Sequence, residues 1–387
     1  MTEDFSPLTL DDYSIQARTT DRHSDGGSLS FPLLGLFGEA GSLLSEVKKK
    51  QRDRASYLGY AAAVVEELGD VLWYLNAVAS RGGLSLSTVA AHLAALDGGA
   101  NVPALTFASL QPAIMPRGAQ PTATFEKTLL RLAGSIGALV ADHEANVLEQ
   151  KDNLSIRLSN VLSLLLEAAN EAGVTLEAAA IKNLAKIRDR WPAERIFPRP
   201  FDVDCDPNEQ LPRDLHIEIF ERAVRGQTYV FQRCNGLNIG DRLTDNAMTA
   251  DDYRFHDVFH YAYVAVLGWS PVTRSLFRLK RKSLPNIDEA QDGARATLIE
   301  EGITTWLFGQ AVDLDLFAHL KAGELPFDLL KHVRQFVAGY EAEQCPLWLW
   351  EEAILQGYSA FRYLREHRRA RIHVDMTNRV LGVGALA

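Results

Sequence analysis

Two stretches decide the fold: FPLLGLFGEAGSLLSEVKKK at residues 31–50 and VVEELGDVLWYLNAVASRGGLSL at residues 64–86. In the first, Leu33, Leu36, Phe37, Leu43, Leu44 and Val47 recur near helical spacing, which predicts an amphipathic helix. The second lies in a helical run from Tyr57 to roughly Ser80, stopped by Arg81-Gly82-Gly83, a basic residue followed by glycines. A shorter helix follows, with Ser85 or Ser87 as its cap. Outward from this block, residues 98–123 are rich in glycine, proline and small residues and read as a linker or long loop.

Residues 124–192 are helical again and repeat the first block. GGLSLSTVAAHL (82–93) aligns with AGVTLEAAAIKNL (172–184) at an offset of 90, and the same offset lays VLWYL (71–75) over VLSLLL (161–166). With a small adjustment GEAGSLLSEV (38–47) falls over GSIGALVADH (134–143). The pattern predicts an internal duplication: repeat one over residues 1–97 and repeat two over 124–192. A proline-rich segment after Trp191-Pro192 marks a boundary. Residues 193–387 are mostly helical by pattern and rich in tyrosine and tryptophan, which predicts a separate core and, for the chain as a whole, an all-α fold.

Composition narrows the function classes. A net charge of −10 argues against an extended nucleic-acid surface. No run approaches the ~18 apolar residues of a membrane span, and the acidic start lacks the order of a signal peptide. Cys205, Cys234 and Cys345 lie far apart without CxxC spacing and read as reduced thiols of a cytoplasmic protein.

The residues that carry chemistry are the acids of the first repeat: Glu39, Glu46, Glu66, Glu67 and Asp70. Glu67 and Asp70 are three apart and project from one helical face in strongly apolar surroundings. Two acids on a buried face repel each other and lose hydration unless a positive group sits between them. Mg²⁺, which prefers oxygen ligands, suits that role, with Mn²⁺ as its substitute. Glu39 supplies a third carboxylate if the two helices pack antiparallel. The competing interpretation is a solvated acidic face with Lys or Arg partners.

The ordered run GLFGEAGSLLSEVKK, then VVEELGDVLWYLNAVASRGGLSL, preceded by DDYSIQARTTDR (11–22), resembles the all-α MazG-type nucleotide pyrophosphohydrolase family over about residues 10–190. The resemblance implies Mg²⁺ held by acids of an ExxE and an ExxD pair. It also implies water attack on a nucleoside triphosphate, giving a monophosphate and pyrophosphate. Carried over by position, Glu39, Glu67 and Asp70 are the metal-binding acids. Ser42 stands where the family has a fourth acid, and Glu46, one turn on, is the candidate to replace it; Glu66 is a further neighbour.

In repeat two the acids are gone: Arg157, Asn160 and, roughly, Ser135 stand where Glu67, Asp70 and Glu39 stand in repeat one. Its end, IKNLAKIRDRWP (181–192), resembles the family's closing segment, where an Asn, a Lys and an Arg face the phosphates. Those are Asn183, Lys186 and Arg190 here. The complementary losses imply a fused pseudo-dimer with one composite site. Such a unit can remain single or pair once more, and a homodimer is expected. Trp73 is a candidate for stacking on a base, against a plain core role, and Lys49, within a basic helix end, for a phosphate contact.

The C-terminal half resembles the domain appended to some MazG-like proteins. Within FHDVFH (255–260), His256 and His260 at i,i+4 can share a metal, with Asp257 and Glu301 as further ligands. No HExxH is present. The leading expectation is therefore a Mg²⁺-dependent pyrophosphohydrolase of (d)NTPs. Against it stands a nucleotide-sensing module that has lost catalysis at Ser42 and controls the C-terminal domain. In a third arrangement the C-terminal half is the enzyme and the repeats its scaffold.

Overall fold

The structure is a computed structural model that describes residues 7–22, 28–94, 104–111 and 121–386. The stretch 98–123, read as a linker, falls largely outside the described residues. The chain divides into two compact units, residues 1–188 and 189–387. Among the described residues no helix is long and apolar enough to cross a membrane.

The first unit contains α1 (Leu10–Arg18), α2 (Ser30–Asp53), α3 (Tyr60–Arg81), α4 (Leu86–Ala94), the single turn α5 (Phe107–Leu110), α6 (Ala123–Glu144), α7 (Lys151–Ala172) and most of α8 (Leu176–Arg190). Side-chain caps start several of these. Thr9 Oγ1 accepts from the Asp12 N–H and Thr122 Oγ1 from the Phe125 N–H. The order of long helix, long helix and shorter helix occurs twice, as α2-α3-α4 and α6-α7-α8.

Helices α2 and α3 run antiparallel, since Tyr57, just before α3, meets Glu46 late in α2, while the Tyr74 ring lies over Gly35 early in α2. A Cβ at Gly35 would collide with that ring. Leu33, Leu36, Leu43, Leu68, Leu72 and Leu75 from this pair join Ile136, Leu158, Leu162 and Leu165 from the second in one apolar core. The shorter helices are exchanged. Helix α4 packs on α7 of the other repeat, and α8 lies against α3, so closely that a Cβ at Gly69 would stand 2.6 Å from the Ala179 carbonyl oxygen. The pseudo-equivalent of Gly69 is Ser159, and its hydroxyl donates to the Val89 carbonyl, the counterpart of Ala179, at 2.7 Å.

The second unit corrects the all-α expectation. It holds β1 (Asp214–Val224), β2 (Gln227–Cys234), β3 (Leu237–Leu243), β4 (Arg369–Asp375) and β5 (Val380–Gly384). These form one antiparallel sheet in the order β3-β2-β1-β4-β5. The physical cause is alternation with two tight turns. Leu215, Ile217 and Ile219 face inward with Val230 of β2 and Ile372 and Val374 of β4, the period-two pattern of a half-buried strand. Arg225-Gly226 and Asn235-Gly236 all adopt positive φ, as a two-residue hairpin turn requires.

Six helices complete this unit: α9 (Asp257–Ala262), α10 (Pro271–Phe277), α11 (Pro285–Gln291), α12 (Ala294–Val312), α13 (Phe327–Phe336) and α14 (Leu347–His367). Between α9 and α10 the chain makes a π-helical turn over Tyr263–Leu267. The inward sheet face, α9 and α14 share a core containing Phe259, Trp350, Tyr358 and Phe361. Arg274 and Arg281 are buried in it with their charges met: Arg274 pairs with Asp202 at 2.8 Å, and Arg281 with Asp292 at 2.7 Å and Glu341 at 2.9 Å. Such charges stay ionised inside a protein only when paired in this way.

Candidate active site

In the first unit Glu39 of α2 meets Glu67 and Asp70 of α3. One carboxylate oxygen from each lies within 4.8 Å of the others. Glu67 and Asp70 share a face because they are three apart on a helix, and the antiparallel α2 brings Glu39 to the same level. Helix α8 closes the group. Asn183 Nδ2 donates to Asp70 Oδ1 at 2.6 Å. Lys186 Nζ donates to Asp70 Oδ1 and Oδ2 at 2.6 and 2.5 Å and reaches Glu66 at 3.3 Å. Ala179, Asn183 and Lys186 lie on one face of α8, and Gly69 is the position that lets this face descend onto α3.

The electrostatics follow from crowding. Burial, together with the charges of Asp70, Glu39 and Glu66, pushes the Glu67 carboxyl up to about 8 against the opposing pull of Lys186. Glu67 Oε2 is buried without a hydrogen-bond partner. Burial would lower the Lys186 ammonium, but the charges of Asp70 and Glu66 outweigh it and hold its pKa above that of an ordinary lysine. Three clustered acids facing one cation, with one buried carboxylate oxygen unmet, form a donor set that suits a hard divalent ion.

Other residues singled out in the sequence lie elsewhere. Glu46 is buried, but its carboxylate is taken up by the Tyr57 hydroxyl and by Lys49 Nζ at 2.6 Å. It is therefore not among the clustered acids, and Lys49 is its partner. Trp73 Nε1 donates to Thr20 Oγ1 at 3.0 Å, and its ring stands edge-on to Tyr74. Arg190 belongs to the second unit. Its buried guanidinium donates to the Leu325 carbonyl and lies 5.2 Å from the centre of the Phe327 ring. Lys186 and Arg190 are one turn apart, but the chain passes into the second unit between them.

Repeat two shows what replaces the acids. Asn160 Nδ2 donates to Ser135 Oγ at 2.8 Å, and Arg157 pairs with Asp142 at 2.6 Å. A neutral hydrogen bond thus joins the two helices where repeat one opposes Asp70 and Glu39. Sequence reasoning missed Gly69, whose only signal is its place between Glu67 and Asp70. It also missed Tyr13 of α1, whose buried hydroxyl has no hydrogen-bond partner and is pushed upward by burial and by the charge of Asp70.

Two further groups of metal-type ligands occur among the described residues, both in the second unit. His256, Asp257 and His260 cluster in its interior. Asp214, His216 and His373 gather on the sheet because β1 and β4 pair His216 with His373, whose rings stack at 4.4 Å. The latter group is largely exposed, and no spacing rule links residues so far apart in sequence.

A family profile described as "MazG C-terminal domain" matches residues 196–386. The chain belongs to the MazG-type family. A relative of this MazG-type chain, "Gene 37 protein" of Mycobacterium phage L5, is 35% identical over 90 residues, covering 21% of this chain and 79% of the relative. No solved structure matches.

Proposed function

We propose that this protein is a Mg²⁺-dependent pyrophosphohydrolase that cleaves nucleoside or deoxynucleoside triphosphates to the monophosphate and pyrophosphate. The observation that carries the proposal is the convergence of Glu39, Glu67 and Asp70 opposite Lys186 and Asn183. MazG-type membership supports the same chemistry.

Glu39, Glu67 and Asp70 are the residues that would hold Mg²⁺ or Mn²⁺, and the unmet Glu67 Oε2 is an oxygen with a lone pair to give. The ion, when bound, supplies charge neutralisation for phosphate oxygens and acidifies nearby water. Asn183 fixes the Asp70 carboxylate so that its orientation costs nothing when a ligand arrives. Lys186 keeps its proton and places a positive charge at the edge of the acid cluster, where charge builds up on a departing pyrophosphate. Without an ion the Glu67 carboxyl, near 8, keeps a proton at neutral pH, and binding of a divalent ion there would release that proton.

One observation favours a second reading, in which the site binds a nucleotide without turnover and regulates the C-terminal domain. Among the described residues three acids cluster here, with Ser42 on α2 where the family has a fourth, and Glu46 is committed to Tyr57 and Lys49. Pyrophosphate release measured with Mg²⁺ separates the two. Turnover that disappears in Asp70→Ala supports the enzyme, and tight nucleotide binding without turnover supports the sensor.

A further inference from the structure

His256 and His260 are not used by the chemistry above, and their surroundings prepare them for another task. Helix α9 and the residue before it carry His256, Asp257 and His260, and α12 carries Glu300 and Glu301. His260 is fully buried, and its Nδ1 lies 2.8 Å from Glu300 Oε1. Glu300 is itself buried and accepts from Ser270 Oγ at 2.6 Å and from the Val272 N–H at 2.8 Å. His256 Nδ1 lies 2.9 Å from the Tyr253 carbonyl oxygen. A carboxylate and a carbonyl only accept, so both imidazoles carry their proton on Nδ1. That leaves Nε2 of each ring as the donor atom.

Both Nε2 atoms point to one place. His256 Nε2 is 3.1 Å from Asp257 Oδ1 and 4.0 Å from Glu301 Oε2, and His260 Nε2 is 3.5 Å from the same Glu301 oxygen. His260 Nε2 is buried and makes no hydrogen bond. Ligands about 2.0–2.1 Å from a tetrahedral ion stand roughly 3.3 Å from one another; ligand atoms of His256, Asp257 and His260 all lie within 4.8 Å of one another, and Glu301 Oε2 lies within 4.0 Å of both imidazoles. Asp257 is oriented from behind, since its second oxygen accepts from Gln232, which in turn accepts from the buried Tyr261 hydroxyl. Carboxylates and amides that fix the far side of each ligand are the usual surroundings of a metal site.

We infer that His256, Asp257, His260 and Glu301 bind one divalent transition-metal ion, with Glu300 as the positioning residue of His260. Two imidazoles with two carboxylates select Zn²⁺ or a similar ion over Mg²⁺ and Ca²⁺, which take oxygen donors. This site is separate in residues and chemistry from the carboxylate cluster of the first unit.

Full-length protein stripped with chelator and titrated with Co²⁺ alone provides the test, read by bound metal per chain and by visible absorption. With excess Mg²⁺ added to occupy the carboxylate cluster of the first unit, the expected result is one bound Co²⁺ with visible bands in wild type and in Asp70→Ala. Glu301→Gln, a partly exposed and isosteric change, is expected to abolish tight binding while circular dichroism and the melting temperature of the metal-free protein hold. Glu300→Gln is expected to weaken binding by ~10–100-fold. Absence of Co²⁺ from wild type, or binding of equal affinity in Glu301→Gln and His256→Gln, overturns the inference.

Discussion

At Asp70 two donors from a distant part of the chain, Asn183 and Lys186, converge on a single carboxylate. Removing the ammonium in Lys186→Ala is expected to lower kcat/KM by ~10²–10³, the usual cost of losing one charge-stabilising donor. Steady-state kinetics with Mg²⁺ checks this. Glu67 gives a pH prediction. Its carboxyl is raised to about 8 in the folded protein, above the ~4.3 of an unfolded glutamate, so the folded state binds the proton more tightly. Its contribution to stability is full below the unfolded value and is lost as pH rises through about 8. Melting temperatures of chelator-treated protein should therefore fall across that window, and Glu67→Gln should flatten the dependence.

Between elements, the decisive contact is α8 on α3 at Gly69. A Cβ there meets the Ala179 carbonyl and Asn183 Cβ, so Gly69→Ala should cost roughly 1–3 kcal/mol and reduce turnover by moving Asn183 and Lys186 off Asp70. Gly134 of α6 is the control. A Cβ at this exposed helical position meets nothing, so Gly134→Ala should stabilise by about 0.5–1 kcal/mol. Thermal melts and kinetics of both variants give the comparison.

The helices of the first unit were legible because Leu33, Leu36, Leu68, Leu72 and Leu75 keep a strict helical stripe. That Glu67 and Asp70 share a face was legible because three-residue spacing on a helix fixes it. The partners of Glu46 were not legible, because spacing cannot show that Tyr57, at the end of the connecting loop, reaches back to it. The place of Arg190 was not legible, because nothing in i,i+4 spacing reveals that the chain passes into another unit within that turn. The sheet was missed although its signals are present. Asn235-Gly236 sits between alternating runs, and Leu215, Ile217 and Ile219 step by two, but β4 follows a long helix and pairs with β1 across some 150 residues, and β5 then pairs with β4.

At the scale of the molecule, the two units have separate cores, one of helices alone and one built on a sheet. Calorimetry should therefore resolve more than one transition. Mg²⁺ with nucleotide should raise the one belonging to residues 1–188, an effect that Asp70→Ala removes. Co²⁺ should raise the other, through His256 and His260. The two helix sets of the first unit differ: α2 and α3 carry the acids, the second set supplies α8, and within that set an Asn160–Ser135 hydrogen bond joins α7 to α6.

The most direct measurement is release of pyrophosphate and monophosphate from a panel of NTPs and dNTPs with Mg²⁺, comparing wild type with Asp70→Ala. The account predicts turnover of at least one nucleotide by wild type and none by the variant. Equal turnover in the two proteins, or none in wild type, would contradict it.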